Sequence, residues 1–314
     1  MTLVRNVLQE TVILLFRPVI LREIWGWGKI YNFFVGSYRR DWFWQDAKKQ
    51  TIKGRLNDFL MELDISKWAD RSTFFLGRWY DLPTQQIVKQ VLNKGDVVID
   101  VGANVGMFSL VARHIVGQEG FVHSFEPNPA TRKCLNRNIE INDIDNIKVY
   151  PLGLGEVEGE FSLYVPHVNS GEGSLARFSD AEYEISKFYE IQIEVKVGDS
   201  VLREVAPRLI KIDVEGAEIG VLRGMSQLIS RHLPLIICEY VPTHIHRFSC
   251  SFKDFRSIAQ EHSYQIFKLG LSKIPGGYDL LLTPVEESEL NESCDILLAH
   301  IDDPYIRQVN NVNL

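Results

Sequence analysis

Cysteine is scarce in this sequence, and its spacing matches neither a metal site nor a disulfide framework. The 314 residues contain four cysteines, and no two of them form a CxxC pair. Structural zinc sites and disulfide-rich domains need closer spacing or more cysteines. We therefore expect reduced thiols in a cytoplasmic protein and no metal bound by cysteine. The four are Cys134, Cys238, Cys250 and Cys294.

An excess of positive charge and a long apolar run are also missing. The net charge is −7 at pH 7, whereas nucleic-acid binders usually carry a basic excess, so we expect no nucleic-acid partner. The apolar stretch 11–36 is interrupted by Arg17, Arg22, Glu23 and Lys29. It therefore lacks the roughly 20 consecutive apolar residues that are needed to span a bilayer. It also lacks a small-residue cleavage site, which argues against a signal peptide.

Residues 1–50 are rich in aromatic side chains and are predicted to form a mostly helical N-terminal arm. We favour a helix that packs on the domain or on a second subunit, the latter giving a homo-oligomer. The alternative is an interfacial helix, because Trp, Tyr, Arg and Lys are the side chains that settle at lipid headgroups. That alternative would place the protein at the periphery of a membrane.

Beyond the arm, predicted strands and helices alternate. Residues 51–92 are predicted to form a β-hairpin and a helix that lead into the main domain, residues 93–314. The alternation in that domain is typical of a mostly parallel sheet with helices on both faces. The last two apolar segments, 264–270 and 278–284, are joined by a short link containing Gly and Pro. Such a link predicts a terminal antiparallel pair.

A glycine-containing turn follows the first strand, in the stretch VVIDVGANVGMFSL at residues 97–110. It has neither the GxGxxG of a dinucleotide site nor the GxxxxGK of a P-loop. Asp100 instead precedes the first glycine, where a carboxylate would repel a pyrophosphate and attract a cationic α-amino group. The next strand ends in Glu126, which can accept both hydroxyls of a ribose. A cationic group beside a ribose is the chemistry of S-adenosylmethionine. An ordinary strand-turn-helix with a structural Asp is the less favoured alternative.

Side chains at two later strand ends are predicted to take the proton from an acceptor hydroxyl. Asp213 and Glu239 each end an apolar strand and should project into the cleft. His244 follows in VPTHIHRF, which is predicted to be a loop, and is the third candidate. These residues with His246 could also form a metal site, but nothing in the sequence fixes its spacing. We therefore expect no metal.

Two other polar segments are candidates for smaller roles. Glu215 and Glu218 are predicted to cap the helix at 217–231, where the helix dipole stabilises acids. The polar segment 167–180 is predicted to be a loop that contacts the acceptor, with a solvated hairpin tip as the alternative. Its candidate residues are Ser170, Glu172, Ser174 and Arg177.

The motifs taken together resemble those of one family. DVGANVGMFSL, FEPNP, NSGEGSL, IKIDVEGAEIGVLRG and LIICEY are similar to the successive motifs of the FkbM-type methyltransferases, in the family's order. The resemblance runs from about Gly77 to Tyr240, and FLGRWYD is similar to the segment that precedes the family's core. It implies a class I, Rossmann-like S-adenosylmethionine-dependent fold. It also implies O-methylation of a hydroxyl on a sugar, glycan or small natural product.

The resemblance further implies which residues would hold the cofactor. They are Asp100, Gly102, Asn104 and Gly106 for the methionine part, Glu126 and Asn128 for the ribose, and Leu152 and Gly153 for the adenine edge. Just before the core, Tyr80 is expected to close over the cofactor, with a packing role as the alternative.

The leading prediction is therefore an S-adenosylmethionine-dependent methyltransferase with a small-molecule or glycan acceptor. One alternative is an NAD-dependent oxidoreductase on a similar sheet, which the missing GxGxxG and the terminal strand pair disfavour. Another is a non-catalytic methyltransferase-like domain that binds a partner or membrane through the N-terminal arm. The intact Asp100, Gly102, Gly106 and Glu126 argue against that degeneracy.

Overall fold

The chain forms two compact units in a computed structural model. The first unit comprises residues 1–82 and 137–144, and the second comprises residues 83–136 and 145–314. The structure describes residues 2–20, 22, 27–31, 35–36, 40–56, 58–166, 173–177, 188–274, 277–285 and 290–307.

The first unit contains helices with an aromatic core. These are α1 (Thr2–Ile20), α2 (Trp27–Tyr31), α3 (Asp41–Trp44) and α4 (Trp68–Leu76). The rings of Tyr31 and Trp44 lie 5.9 and 5.4 Å from the ring of Phe75. The indole N–H of Trp27 donates to the Phe75 carbonyl at 2.7 Å, so part of the N-terminal arm packs inside this unit. Self-association and membrane contact stay predictions.

A short hairpin completes the first unit. Strands β1 (Gln50–Lys53) and β2 (Leu60–Leu63) pair antiparallel, as the lead-in segment predicted. The backbone N–H of Glu62 donates to Oδ1 of Asn138 at 2.8 Å, which ties segment 137–144 to the hairpin. Within the ranges given above, no helix combines the length and apolarity needed to cross a bilayer.

The second unit is organised around a mostly parallel sheet. In chain order its strands are β3 (Val97–Val101), β4 (Phe121–Phe125), β5 (Ile147–Tyr150), β6 (Gly153–Gly155), β7 (Gly159–Pro166), β8 (Phe188–Val197), β9 (Leu209–Ile212), β10 (Leu235–Tyr240), β11 (Tyr264–Ile274), β12 (Gly277–Pro284) and β13 (Cys294–His300). Eight of them form one sheet in the order β12-β11-β13-β10-β9-β3-β4-β5, and a small sheet has the order β6-β8-β7.

The described residues from Leu82 onward include eight helices. They are α5 (Leu82–Val91), α6 (Met107–Val116), α7 (Pro129–Glu140), α8 (Gly198–Val201), α9 (Glu218–Gly224), α10 (Ser226–His232), α11 (Pro242–Arg247) and α12 (Phe252–Glu261). The central strands are mostly apolar because both faces of the sheet are covered. All four residues of β9, including Lys211, are buried. The predicted α/β class, the parallel sheet and the antiparallel pair β11–β12 are confirmed.

The structure differs from the sequence predictions in three elements. Strand β13 was not predicted and lies between β10 and β11, antiparallel to both. The helix predicted at 217–231 is two helices, because Met225 adopts φ −117° between α9 and α10. The segment VPTHIHRF is the short helix α11 rather than a loop, and Pro242 at its start has a φ that favours a first turn.

Candidate functional site

The turn after β3 is held by three residues in the left-handed region. The φ values of Gly102, Asn104 and Gly106 are 81°, 51° and 91°. A Cβ on Gly102 would lie 1.8 Å from the carbonyl oxygen of Asp213, and one on Gly106 would lie 2.3 Å from Cδ1 of Leu135. Backbone conformation therefore favours glycine at both positions. Space requires it at Gly102, where the close atom is backbone, whereas the Leu135 side chain near Gly106 can move.

Glu126 connects this turn to the segment that follows β4. Its Oε2 accepts the backbone N–H of Asn104 at 2.9 Å, and its Oε1 accepts that of Asn128 at 2.8 Å. The side chain is 7% exposed. Burial raises the pKa of this carboxyl to about 7, although the two backbone hydrogen bonds lower it. Each carboxylate oxygen has two lone pairs, so each can accept one further donor, such as a ribose hydroxyl.

The raised pKa of Glu126 predicts a pH-dependent stability. Because the folded-state pKa lies above the ordinary 4.5, this group's stabilising contribution is complete below pH 4.5 and is lost as pH rises through 7. Glu126→Gln lacks this titration. We expect its free energy of unfolding to rise by about 2–3 kcal/mol relative to that of wild type when the pH is raised from 5 to 8. Urea unfolding at both pH values measures the difference, and a difference that does not change with pH would contradict the assignment.

Asp100 lies beneath the turn and is fully buried. Its Oδ2 accepts the hydroxyl of Ser109 at 2.5 Å, and that hydroxyl lies 2.7 Å from the hydroxyl of Ser124. Its Oδ1 is buried and has no hydrogen-bond partner among the described residues. Burial raises the pKa of this carboxyl, while the charge of Lys211 lowers it. A buried acceptor without a donor is costly, so a donor from a bound molecule would be favourable here.

The other predicted cofactor residues occupy different environments. Asn128 is 3% exposed, and its Oδ1 accepts the N–H of Ala130 at 3.0 Å. Leu152 packs against the core of the second unit. A Cβ on Gly153 would meet Val195 only at 3.5 Å, so space does not require glycine there.

Tyr80 belongs to the first unit. Its ring centroid lies 5.5 Å from that of Trp68, and 41% of the residue is exposed. Its role at the cofactor stays a prediction, as do the roles of the residues above.

The end of β9 carries an ion pair that the sequence did not predict. Nζ of Lys211 donates to Oδ2 of Asp213 at 2.8 Å. Burial lowers the pKa of Lys211, but the carboxylates of Asp213 and Asp100 outweigh it and raise that pKa. Lys211 therefore stays charged, and it couples the acid beneath the glycine turn to the predicted catalytic Asp213. The sequence signal for this ion pair was Lys211 itself, a charged residue among the apolar residues of β9.

Two of the predicted catalytic residues lie together. Three side-chain atoms of the kinds that bind metals, one each from Glu215, Glu239 and His244, lie within 4.8 Å of one another. Nδ1 of His244 is 2.9 Å from Oε2 of Glu215, but without the alignment of a hydrogen bond. Burial raises the pKa of Glu239 well above its ordinary value, and the carboxylates of Asp213 and Glu215 raise it further. The three side chains come from the turn after β9, the end of β10 and helix α11.

The predicted position in the first turn of the helix holds for Glu218 only, and the N-cap of α9, Ala217, makes no side-chain cap hydrogen bond. Glu215 precedes helix α9 and has φ 56°, so it lies in the turn and beside His244 rather than in the first helical turn. Glu218 begins α9, and its Oε1 accepts the N–H groups of Val214 and Gly216 at 3.0 and 3.2 Å. Burial raises the pKa of Glu218 to about 7.

Only part of the predicted acceptor loop can be assessed. Ser170 and Glu172 lie outside the described residues. Ser174 is fully buried, and its hydroxyl donates to the backbone carbonyl of Glu215 at 2.9 Å. It thus anchors its segment to the turn after β9. No role of Arg177 follows from its position.

Comparison with known proteins gives consistent matches to this region. A family model described as the methyltransferase FkbM domain matches residues 100–266, more than half of the chain. The chain is 31% identical over 144 residues to Methyltransferase 1 of Beauveria bassiana, a match covering 41% of this chain and 57% of that protein. It is 30% identical over 179 residues to the hexuronic acid methyltransferase AglP of Haloferax volcanii, covering 53% and 68%.

Among solved structures, the chain is similar to the methyltransferase FkbM of Methylobacillus flagellatus, with 16% identity and a TM-score of 0.39. That likeness covers 75% of this chain and 54% of the other. The chain spans little more than half of the length of the Beauveria bassiana relative.

Proposed function

The chain belongs to the FkbM methyltransferase family, and from this premise we propose that it transfers a methyl group from S-adenosylmethionine to an oxygen of a small molecule or glycan. The single observation that carries the proposal is the buried Glu126 carboxylate, which fixes the turn after β3 while keeping acceptor capacity for a ribose. The match to a methyltransferase family leaves the nicotinamide-dependent alternative without support.

The cofactor would be held at the carboxyl ends of β3 and β4. Glu126 would accept the ribose hydroxyls, and the unpartnered Oδ1 of Asp100 would accept a donor from the methionine part. Gly102 and Gly106 lack side chains, so the turn that contains them can lie close to Asp213 and Leu135. When bound, S-adenosylmethionine supplies an electrophilic methyl group on a sulfonium. The chain's part is to position it, which contributes much of the rate in such displacements.

The acceptor would lie at the carboxyl ends of β9 and β10. Transfer forms a carbon–oxygen bond, breaks the carbon–sulfur bond and leaves that bond's electron pair on sulfur, while the acceptor hydroxyl gives up its proton. The groups predicted to receive the proton are Asp213, Glu239 and His244. Lys211 fixes Asp213 in one orientation. Glu215 lies next to Glu239 and His244, and we add it to these candidate proton acceptors.

A sugar is the acceptor class we favour. The family resemblance implies a sugar or natural-product hydroxyl, and one relative is a hexuronic acid methyltransferase. A site lined by carboxylates suits hydroxyl-rich molecules, because each carboxylate oxygen accepts hydrogen bonds and has none to donate.

Calorimetric titration and a labelled transfer assay together test the function. We expect the purified protein to bind S-adenosylhomocysteine and to transfer labelled methyl from S-adenosylmethionine to an acceptor within a panel of sugars and hexuronates. Asp213→Asn should lower the single-turnover rate by about 10²-fold and leave S-adenosylhomocysteine affinity unchanged. Glu194→Gln, on the exposed part of β8, is the control. Absence of S-adenosylhomocysteine binding by wild type would refute the function and favour a non-catalytic domain.

A further inference from the structure

Glu215, Glu239 and His244 bring together side-chain atoms of the kinds that bind metal ions. One oxygen from each glutamate and one ring nitrogen lie within 4.8 Å of one another. The three side chains are all partly buried and come from separate elements that the sheet brings together. Each of these residue types binds divalent metals, and their mutual distances leave space for a shared ion.

The electrostatic surroundings of this group are strongly negative. Carboxylates of Asp213, Glu218 and Asp295 act on Glu239 in addition to that of Glu215. Lys211 is hydrogen-bonded to Asp213. Several carboxylates in a partly buried space repel one another, and a divalent cation would turn that repulsion into attraction.

Two buried polar atoms of His244 and Glu218 have no hydrogen-bond partner among the described residues. Nδ1 of His244 is out of contact with water and forms no hydrogen bond within the described part of the chain, although Glu215 lies 2.9 Å away. Oε2 of Glu218, a residue only 1% exposed, likewise has no partner there. In the tautomer protonated at Nε2, the Nδ1 of His244 would have a lone pair available for a metal.

The backbone around the group is also held in an uncommon conformation. Glu215 has φ 56° although it is not glycine. The following Gly216, at φ 109°, packs against α11, because a Cβ there would lie 2.5 Å from the carbonyl oxygen of His244. This close approach sets the distance between the turn that carries Glu215 and the helix that carries His244. Strained backbone of this kind persists where surrounding structure fixes it, and it is concentrated at functional sites.

We propose that Glu215, Glu239 and His244 bind one divalent cation, which in turn coordinates an oxygen of the methyl acceptor. Two carboxylates and one imidazole favour an ion such as Mn²⁺, because carboxylate oxygens suit Mg²⁺ and Mn²⁺ while imidazole suits the transition metals. This proposal rests on the proposed function for its acceptor, and it assigns Glu239 and His244 as ligands rather than as bases. The cation would orient the acceptor and favour transfer of its hydroxyl proton to Asp213, the candidate base that is not a ligand.

Electron paramagnetic resonance of Mn²⁺ tests the site directly, since protein-bound Mn²⁺ loses the sharp signal of the free ion. We expect the full chain to bind one equivalent, and His244→Ala and the isosteric Glu239→Gln each to weaken binding by at least about tenfold. His246→Ala is the matched control, because His246 is exposed on the same helix and lies outside the group. Thermal unfolding of each variant checks that it is folded.

Two outcomes overturn the proposal: no Mn²⁺ binding by wild type, or equal Mn²⁺ affinity in folded His244→Ala and His246→Ala. S-adenosylhomocysteine titration of the same samples separates the two proposals. Cofactor binding without Mn²⁺ binding removes the metal site and leaves the methyltransferase. Mn²⁺ binding that depends on His244, without cofactor binding, supports the metal site and removes the methyltransferase.

Discussion

The Gly102→Ala substitution is expected to lower the free energy of unfolding by about 4 kcal/mol. Two effects add at this position. The φ of 81° is unfavourable for any residue with a Cβ, at a cost of about 1 kcal/mol. In addition, the new Cβ would lie 1.8 Å from the carbonyl oxygen and 2.9 Å from the carbonyl carbon of Asp213. A backbone carbonyl cannot rotate away as a flexible side chain can, so the turn and the end of β9 must separate.

Gly95→Ala is the matched control for this substitution. Gly95 has φ 87°, and a Cβ there would meet nothing within 4 Å. The control therefore carries the conformational cost alone, and we expect it to lose only about 1 kcal/mol. Urea unfolding of both variants measures the contrast, and S-adenosylhomocysteine titration should show loss of binding for the Gly102 variant only. Equal destabilisation by the two substitutions would show that the close approach to Asp213 is not a constraint.

Glu126→Ala is expected to weaken S-adenosylhomocysteine binding by at least about 10²-fold. Hydrogen bonds to a charged group contribute about 1.5–3 kcal/mol each, and the proposed ribose contact supplies two. The substitution also leaves the N–H groups of Asn104 and Asn128 without their acceptor, which loosens the turn. Calorimetric titration at pH 8, where the carboxyl is mostly ionised, gives the largest contrast.

A second ligand distinguishes loss of the ribose contact from loosening of the turn. An analogue of S-adenosylhomocysteine without the ribose 2′-hydroxyl lacks one of the two donors, so wild type should bind it more weakly than the parent compound. The Glu126 variant should bind both ligands alike. Glu119→Ala, at an exposed position of the same unit, should behave as wild type. If the variant discriminated between the ligands as wild type does, Glu126 would not be the ribose acid.

The sequence predicted the centre of the second unit because its signals there are local. Strand β3, its turn and helix α6 occupy 20 consecutive residues, 97–116, with an apolar run, glycines and helical periodicity in order. The acid at the end of β4 could be placed beside that turn because parallel neighbouring strands end at the same edge. Asp213 and Glu239 were identified by the same reasoning.

The features that escaped prediction depend on contacts between distant segments. The meeting of Glu215 with His244 requires Glu215 to leave the helical region and VPTHIHRF to form α11, and neither follows from periodicity. In the sequence, Lys211 stands between apolar residues of β9. Only the folded sheet shows that the charges of Asp100 and Asp213 both act on it. The apolar run of β13 gave no indication of which strands it would join.

The position of β13 has a consequence for how the protein is made. The chain emerges from the ribosome in the order β10, β11, β12, β13, but β11 meets β10 only through β13, which lies between them. The hairpin of β11 and β12 joins the main sheet only through β13, so it has no strand to pair with there until residues 294–300 have been synthesised. Until then β10 has an open edge beside Glu239, and such edges are the ones that other chains pair with. The sheet beside the acceptor side of the proposed site is thus complete only once β13 has been inserted.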